Sequence, residues 1–336
     1  MGLHLGACAA RACCSARGCI MDEQTRLECW SDACSFLFDG HLPSSSPVLL
    51  SVGAQPGAGK TQAIDAVMRK LYPGEPFVKV IGDDLRQFHP NFPALSRSVD
   101  PEAMPAATAE LSGWLVGRAL AYAAEHGYSA VVEGTLRRPE TTLGTLAQFA
   151  KAGSRTHLVV LGVSAFDSWT GCIDRYLSAL EAGRAARWTP LAAHDAGLMG
   201  TPQTLLAAAS SPDVHRLSIV DRAGAVHYDN LRGDDGEWVR PERAVAVLTE
   251  LRNRPGDSAD RLVRVDSLAG RAEMLKVAQV VREGIAHARQ LAGTRPARTK
   301  ADVLGQIAER SKQRSQADQL GLERPSQRRD RSNRSL

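Results

Sequence analysis

The chain has 336 residues, of which 43% are hydrophobic; this is enough for a buried core, and no apolar run approaches membrane-spanning length. The formal net charge of +4 is unevenly spread, because residues 295–336 hold 11 Lys and Arg against 5 Asp and Glu. Because the remainder is nearly neutral, a nucleic-acid partner is not expected except through this basic tail, and the lack of a long apolar run argues against a membrane partner.

Six of the seven cysteines lie before residue 35, and the seventh is Cys172. The adjacent Cys13 and Cys14 lack the paired spacing and downstream ligands of a zinc site. Residues 1–20 also lack the apolar segment of a signal peptide, because Arg11 and Arg17 interrupt them. We therefore expect a reduced, cytoplasmic protein in which residues 1–21 are an extension outside the core, with Met21 as a more natural start.

Strands and helices alternate through the first two thirds of the chain. Residues 22–40 predict an amphipathic helix. Five strands are predicted at Val48–Gly53, Phe77–Ile81, Ser129–Val132, His157–Val163 and near His215–Val220, and helices at about 60–71, 106–126 and 140–152 separate the first four. This alternation predicts an α/β fold, a P-loop kinase-like and mostly parallel sheet with helices on both faces.

The pattern changes after the fifth strand. A turn at Asp221–Gly224 and a short strand at Ala225–Tyr228 predict a hairpin at an edge of the sheet. Helices are then expected from Pro241 to about Arg252 and from about Ala269 to Ala292.

These elements predict four segments. After the extension at 1–21, a catalytic domain spans residues 22–255 and a C-terminal helical extension spans residues 256–293. Residues 294–336 are rich in Arg, Ser, Gln and Asp and are expected to form a basic, largely disordered tail.

Residues 53–61, here called the phosphate loop, join the first strand to the helix that follows and read G-A-Q-P-G-A-G-K-T. Gly57, Ala58 and Gly59 allow backbone N–H groups to face a phosphate, Lys60 supplies a cation, and Thr61 offers a hydroxyl to Mg²⁺. The N-terminus of the next helix adds partial positive charge. Although Ala54 replaces the usual first glycine, the loop predicts a nucleoside triphosphate site.

Acidic residues follow the second strand. Because ligands gather at the carboxyl ends of parallel strands, Asp83 is placed to accept a proton from a substrate hydroxyl; binding Mg²⁺ or its waters is the alternative. Asp84 and Gln87 have the spacing of a helix-capping box, and His89 is expected to shape a turn rather than to catalyse.

The third strand is followed by a second polar group. Glu133 leaves an apolar strand and needs a partner if it is buried, which could be substrate hydroxyls, hydrated Mg²⁺ or a salt bridge to Arg137 or Arg138. Thr135 and Arg137 are candidates for substrate contacts.

Three arginines lie further along the chain. An apolar stripe predicts a helix at about 166–181, and Arg175 lies outside that stripe, on a face that is ordinarily solvated. Arg184 and Arg187 lie in the following loop, where a closing segment could bring them to transferring phosphate.

Four segments in this order resemble the zeta toxins of bacterial toxin–antitoxin systems, which are P-loop kinases of UDP-N-acetylglucosamine. They are Gly57–Thr61, the His-Pro-Asn-Phe motif after Asp83, Glu133-Gly-Thr135 to Arg137, and Arg175 to Asp195 with its Arg-x-Thr-Pro and His-Asp pairs. The resemblance covers roughly residues 25–250.

The resemblance implies a role for each matched position. Lys60 and Thr61 would hold the phosphates of ATP and Mg²⁺, and Asp83 would be the general base on the sugar 3′-hydroxyl. Glu133, Thr135 and Thr145 would contact the UDP-amino sugar, while Arg175 and Arg187 would stabilise charge. Phosphorylation would block the sugar's use in cell-wall synthesis, and a small helical antitoxin, if present, would be a separate chain.

One position departs from the family. Where the family often carries an acidic residue that helps to bind the sugar, this chain has Gly117. Another UDP-amino sugar therefore stays open as the substrate. The alternatives are a kinase of another small molecule, such as an antibiotic hydroxyl, and a catalytically silent nucleotide-binding module; the presence of both Lys60 and Asp83 argues against the last.

Overall fold

The computed structural model describes residues 21–98, 100, 102–254 and 256–293. The strands are β1 Val48–Gly53, β2 Val78–Val80, β3 Ala130–Gly134, β4 Arg155–Leu161, β5 Arg216–Val220 and β6 Val226–Leu231. The helices are α1 Glu23–Phe38, α2 Lys60–Leu71, α3 Gly82–Leu85, α4 Phe92–Leu95, α5 Ala103–Glu125, α6 Pro139–Lys151, α7 Ala165–Glu181, α8 Leu191–Ser210, α9 Ala244–Arg252, α10 Ser258–Met274 and α11 Gln279–Gly293. A 3₁₀ turn at Arg86–Phe88 joins α3 to the segment before α4.

The strands form one six-stranded sheet in the order β2-β3-β1-β4-β5-β6. Strands β1 to β5 run parallel, and β6 pairs antiparallel with β5 at the edge. The predicted fold class and edge hairpin are confirmed. The expectations for residues 1–20 and 294–336 lie outside the described residues.

The central strand β1 is buried along its whole length. Leu49 belongs to a cluster that includes residues of α1, α5 and α6, whereas Leu50 belongs to a cluster that includes residues of α2. Because successive strand residues point to opposite faces, helices must cover both sides of this apolar strand. In the described part of the chain, no helix has the length and hydropathy that crossing a membrane requires.

A third apolar cluster joins α7 to α10 and α11. The predicted stripe on α7 is confirmed, since Trp169, Ile173 and Leu177 are fully buried. The single helix predicted from Ala269 to Ala292 is wrong, because the chain reverses between α10 and α11 and Lys276 takes a left-handed conformation with φ of 49°. The reversal lets both helices bury apolar faces in the same cluster as α7.

Helix α8 was not anticipated from the sequence, and it contains Gly197, Gly200 and Pro202, which disfavour helices. The two glycines explain its position. A Cβ atom at Gly200 would lie 2.5 Å from the carbonyl oxygen of Arg137, and one at Gly197 would lie 3.0 Å from that of Thr135. The missing side chains therefore allow α8 to approach the segment that follows β3.

Candidate active site

The phosphate loop has the backbone conformation that its glycines require. Gly57 and Gly59 adopt φ of 75° and 90°, in the left-handed region. A Cβ atom at Gly57 would collide with the carbonyl oxygen of Ser168. Ala54 fits at the position usually occupied by glycine, since it is buried and its N–H donates to the Gly134 carbonyl at 3.2 Å. The loop is therefore tied to both β3 and α7.

Lys60 begins α2 and is only 7% exposed. Its Nζ donates to the carbonyl oxygens of Ala54 and Gln55 at 3.2 and 3.4 Å and lies 4.0 Å from Glu133 Oε1. Burial lowers the pKa of Lys60, while the nearby Glu133 carboxylate opposes this shift. Among the described residues Glu133 is paired with Lys60, which was not one of the partners expected from the sequence, and no salt bridge to Arg137 or Arg138 forms.

Two cavities adjoin Lys60. The strand-end cavity has a volume of about 240 Å³ and is lined by Pro56, Lys60, Gly82, Asp83, Arg86, Pro105, Glu133, Gly134, Thr135, Arg137, Arg175, Arg187, Trp188, Thr189, Pro190 and Ala193. The phosphate-loop cavity, of about 280 Å³, is lined by Gly57, Gly59, Lys60, Thr61, Gln62, Glu133, Gly171, Asp174, Arg175, Arg222 and Arg264. Lys60, Glu133 and Arg175 line both, so the cavities meet at these three charged side chains.

Asp83 lies in α3, directly after β2, and its side chain is 38% exposed. Its Oδ1 accepts from Arg86 Nε at 3.2 Å and forms a close ion pair with Arg187. Arg86 also donates to Thr108 Oγ1 at 2.6 Å and to the Pro105 carbonyl at 3.0 Å, which holds its guanidinium in place. Arg86 was not singled out from the sequence, although it lies three residues after Asp83.

The loop between α7 and α8 carries Arg187 to the strand-end cavity. Its neighbour Trp188 is 2% exposed and packs edge-on against Trp169 and Tyr176 at centroid distances of 5.8 and 5.4 Å. Arg175 Nη2 donates to Thr189 Oγ1 at 2.9 Å. Because Trp188 anchors this loop, Arg187 is held over Asp83 rather than extended into solvent. Burial lowers the pKa of Arg187.

Arg175 and Arg184 have different surroundings. Arg175 is exposed, as its position outside the apolar stripe suggested, but it lines both cavities. Arg184 lines neither of them. Among the three arginines considered from the sequence, only Arg175 and Arg187 reach the predicted site.

A strained turn presents Thr135 and Arg137. Between them, Leu136 adopts φ of 50° and is buried, and such a conformation is costly for a residue with a branched side chain. Its side chain packs where a Cβ atom of Gly53 would lie. The turn, with α8 behind it, directs Thr135 and Arg137 to the strand-end cavity, whereas Thr145 on α6 donates to the Thr141 carbonyl at 3.1 Å and lines neither cavity.

Two local predictions after β2 have different outcomes. The capping role predicted for Asp84 is wrong, because Asp84 lies inside α3 and Gln87 donates to its backbone carbonyl at 2.8 Å. His89 does shape a turn, since its Nδ1 accepts from the Asn91 N–H at 3.1 Å.

Sequence reasoning missed the side chains that support the phosphate loop. Gln55 donates to the Val163 carbonyl at 2.8 Å and to Ser168 Oγ at 3.1 Å, and its Oε1 accepts from Arg252 at 2.9 Å. Arg222 donates to the Gly57 carbonyl at 2.7 Å. Gln55 lies within the loop motif, but no local signal marks Arg222 or Arg252 because they come from remote parts of the chain.

Ser168, His194 and Asp195 form a hydrogen-bonded chain that is similar to a hydrolase triad. Ser168 Oγ lies 2.9 Å from His194 Nε2, and His194 Nδ1 lies 3.0 Å from Asp195 Oδ1. Ser168 and His194 are nevertheless buried, and Ser168 Oγ donates to the Ser164 carbonyl at 2.8 Å. This arrangement links α7 to α8 and supports Gln55, and it does not expose a nucleophile.

Comparison with known proteins places the chain in a family. The model of the Zeta toxin family matches residues 37–232. Toxin zeta of Enterococcus hirae is 26% identical over 202 residues, which are 60% of this chain and 70% of that protein. Toxin zeta of Streptococcus pyogenes is 26% identical over 196 residues, which are 58% of this chain and 67% of that protein. A structure from the PezAT chromosomal toxin–antitoxin system of Streptococcus pneumoniae superposes with a TM-score of 0.60 at 20% identity, over 76% of this chain and 97% of that one. The chain belongs to the zeta toxin family.

Proposed function

We propose that this protein is an ATP-dependent kinase that phosphorylates the sugar 3′-hydroxyl of UDP-N-acetylglucosamine or a related UDP-amino sugar. As a toxin, it would block the use of this precursor in cell-wall synthesis. The observation that carries the proposal is the meeting of the two cavities. Asp83 and Arg187 line one, the phosphate loop lines the other, and Lys60, Glu133 and Arg175 line both.

The side chains at this meeting point match the needs of phosphoryl transfer. Asp83 accepts the proton of the substrate hydroxyl as its oxygen attacks the γ-phosphorus, and the bond from that phosphorus to the ADP oxygen breaks. Lys60, Arg175 and Arg187 stabilise the charge on the transferring group. Glu133 and Thr135 orient the sugar, and Arg137 contacts the acceptor from the same side.

The residues at this site suit a Mg²⁺ ion that is bound together with the triphosphate, and not one that is held by the protein alone. Thr61 and Glu133 offer hard oxygen ligands at the phosphate-loop cavity. In the described residues, no cluster of three or more His, Cys, Asp or Glu could hold a metal alone. Bound with the triphosphate, Mg²⁺ would neutralise charge on its oxygens, and Thr61 would be its protein ligand.

Charge favours an anionic acceptor over a neutral or cationic one. The strand-end cavity has five basic side chains, Lys60, Arg86, Arg137, Arg175 and Arg187, and two acidic ones, Asp83 and Glu133. An acceptor with a diphosphate would be attracted to this excess of positive charge, whereas a polycationic antibiotic would be repelled. Gly117 is exposed and does not line this cavity, so it adds no structural support to the second candidate, a kinase of another small molecule.

A substrate screen tests the proposal. Purified protein, ATP and Mg²⁺ are incubated separately with UDP-N-acetylglucosamine, other UDP-amino sugars and hydroxyl-bearing antibiotics, and products are analysed by mass spectrometry. We expect one added phosphoryl group on a UDP-amino sugar, placed on the 3′-oxygen by NMR. Phosphorylation of an antibiotic alone would establish the second candidate instead.

Growth measurements test the toxin role separately. Expression of the wild-type chain should arrest growth, and expression of Asp83→Ala at equal protein level should not. Equal arrest by both chains would contradict a catalytic toxin. We also propose a separate small helical antitoxin as the partner, whose co-expression should restore growth to cells making the wild-type chain.

A further inference from the structure

The C-terminal helix α10 reaches the phosphate-loop cavity. Arg264, near the middle of α10, lines this cavity together with Gly57, Lys60 and Thr61. Residue 264 lies beyond residues 37–232, which the family model matches. The cavity is therefore completed by a part of the chain that carries none of the recognised motifs.

Arg264 is held in place but not enclosed. Its Nη1 lies 3.5 Å from Asp167 Oδ1 on α7, and its side chain is 37% exposed. This separation is that of a loose ion pair, which leaves donors of the guanidinium available to a ligand. Arg264 can thus contact an anion in the cavity without losing its anchor on α7.

Helix α10 also changes the charge of the cavity in a second way. Arg271 lies two turns after Arg264, and its Nη1 donates to Asp174 Oδ1 at 2.5 Å. Asp174 is one of the two acidic residues that line the cavity, the other being Glu133. One arginine of α10 therefore adds positive charge to the cavity, and another neutralises negative charge there.

A further arginine, Arg222, lines the same cavity as Arg264. Arg222 donates to the carbonyl oxygens of Gly57 and Asp167 at 2.7 and 2.9 Å, beneath the phosphate loop. Burial lowers the pKa of Arg222, and repulsion from Arg264 lowers it further. Two guanidinium groups that line one cavity repel each other, and an anion bound in that cavity would relieve the repulsion.

Contacts with α7 and a shared apolar cluster hold α10 in place. Arg271 also donates to Glu181 Oε1 at 2.7 Å and to Ser178 Oγ at 2.9 Å on α7. Trp169 Nε1 donates to the Gly284 carbonyl of α11 at 2.7 Å. These contacts and the shared apolar cluster hold α10 firmly against the helix that borders the phosphate loop.

We infer that Arg264 is a nucleotide-binding residue, and that helix α10 completes the ATP site by contacting the nucleotide's phosphates through this side chain. The inference rests on the proposed function for the identity of the nucleotide, but not on the acceptor or on phosphoryl transfer.

Calorimetric binding of a non-hydrolysable ATP analogue with Mg²⁺ to the full-length chain tests this inference. Arg264→Ala should raise Kd about fivefold to tenfold, the loss of one charge-assisted contact, and Arg264→Lys should recover part of it. The salt dependence of Kd should also become shallower in Arg264→Ala, because one cation no longer meets the phosphates. A purely structural role for Arg264 would not change that slope.

Arg289→Ala is the matched control. Arg289 of α11 pairs with Asp266 Oδ1 at 2.5 Å, so this variant also loses one positive charge and one ion pair with an aspartate, but away from the cavity. Its Kd should stay within about twofold of wild type. Circular dichroism confirms folding, and Arg264→Gln serves if Arg264→Ala unfolds.

Two results would overturn the inference in distinguishable ways. An unchanged Kd in the folded Arg264 variants, with wild type binding the analogue, would refute the role of α10 and leave the kinase proposal intact. Absence of binding by the wild-type chain would refute both.

Discussion

The strand-end cavity and the phosphate-loop cavity share three charged side chains but are built differently. Five of the eleven residues that line the phosphate-loop cavity belong to one stretch, residues 57–62, whose turn is set by glycines at positive φ. The strand-end cavity draws on α3, α5, β3, α7 and the loop before α8. A local motif can therefore form a phosphate cradle, whereas an acceptor site depends on how distant elements pack.

This difference predicts that changes in the loop before α8 affect turnover more than nucleotide binding. Arg187→Ala should lower kcat by about 10³–10⁵, as expected for an arginine that stabilises the charge of phosphoryl transfer. Kd for the ATP analogue should change little, because Arg187 does not line the phosphate-loop cavity. The measurement is steady-state phosphorylation of the substrate found by the screen, together with calorimetry.

Arg184→Ala is the control for Arg187, since Arg184 is exposed in the same loop and lines neither cavity. It should retain nearly full turnover. Equal losses in the two variants would mean that the loop contributes through its folding and not through the Arg187 guanidinium.

Asp83, the proposed proton acceptor, should show the next largest effect. Asp83→Asn keeps the shape of the side chain but removes its basicity, and kcat should fall by about 10²–10⁴. Asp84→Asn, one residue along the same helix, should remain close to wild type because Asp84 does not line the strand-end cavity. Similar rates for Asp83→Asn and wild type would show that another group accepts the proton.

A glycine substitution tests the local character of the phosphate loop. Gly57→Ala combines a strained φ with a collision at the Ser168 carbonyl, so nucleotide Kd should rise about tenfold to a hundredfold. Gly74→Ala has a similar φ of 85° but no neighbouring atom within 4 Å of the new Cβ. It should lower stability slightly without changing Kd; equal Kd values for both variants would contradict the model of the loop.

His157 belongs to neither cavity and separates stability from catalysis. It is buried in β4, where Tyr72 and Ser218 contact its ring nitrogens, and burial lowers its pKa to about 3 from an ordinary 6.5. The unfolded chain therefore binds a proton that the folded chain does not as pH falls below 6.5. The free energy of unfolding should decrease from pH 6.5 toward pH 3 on this account.

Urea denaturation at several pH values measures this effect. His157→Gln should give a shallower decrease between pH 6.5 and 4, even if it is less stable at pH 7. An equally steep decrease in both proteins would assign the acid sensitivity to other groups.

The residues of the two cavities also differ in whether they can be located from the sequence. Asp83, Glu133 and Thr135 were located from the sequence because strand ends in a parallel sheet gather at one edge. Arg86, Arg222 and Arg264 were not, since an arginine has a long side chain and its target cannot be read from its neighbours in sequence. Helix α8 was missed for a related reason, because its glycines and Pro202 disfavour a helix that tertiary packing stabilises.

By itself, the sequence determined the alternation of strands and helices and the position of the phosphate loop, since hydrophobic periodicity and glycine conformations are local properties. Only the tertiary structure decided that Trp188 anchors Arg187 over Asp83, and that α10 and α11 fold back onto α7 and bring Arg264 beside the phosphate loop. Both arrangements depend on burying large apolar side chains between segments that are far apart in the chain. A local sequence pattern does not predict which distant segments pack together.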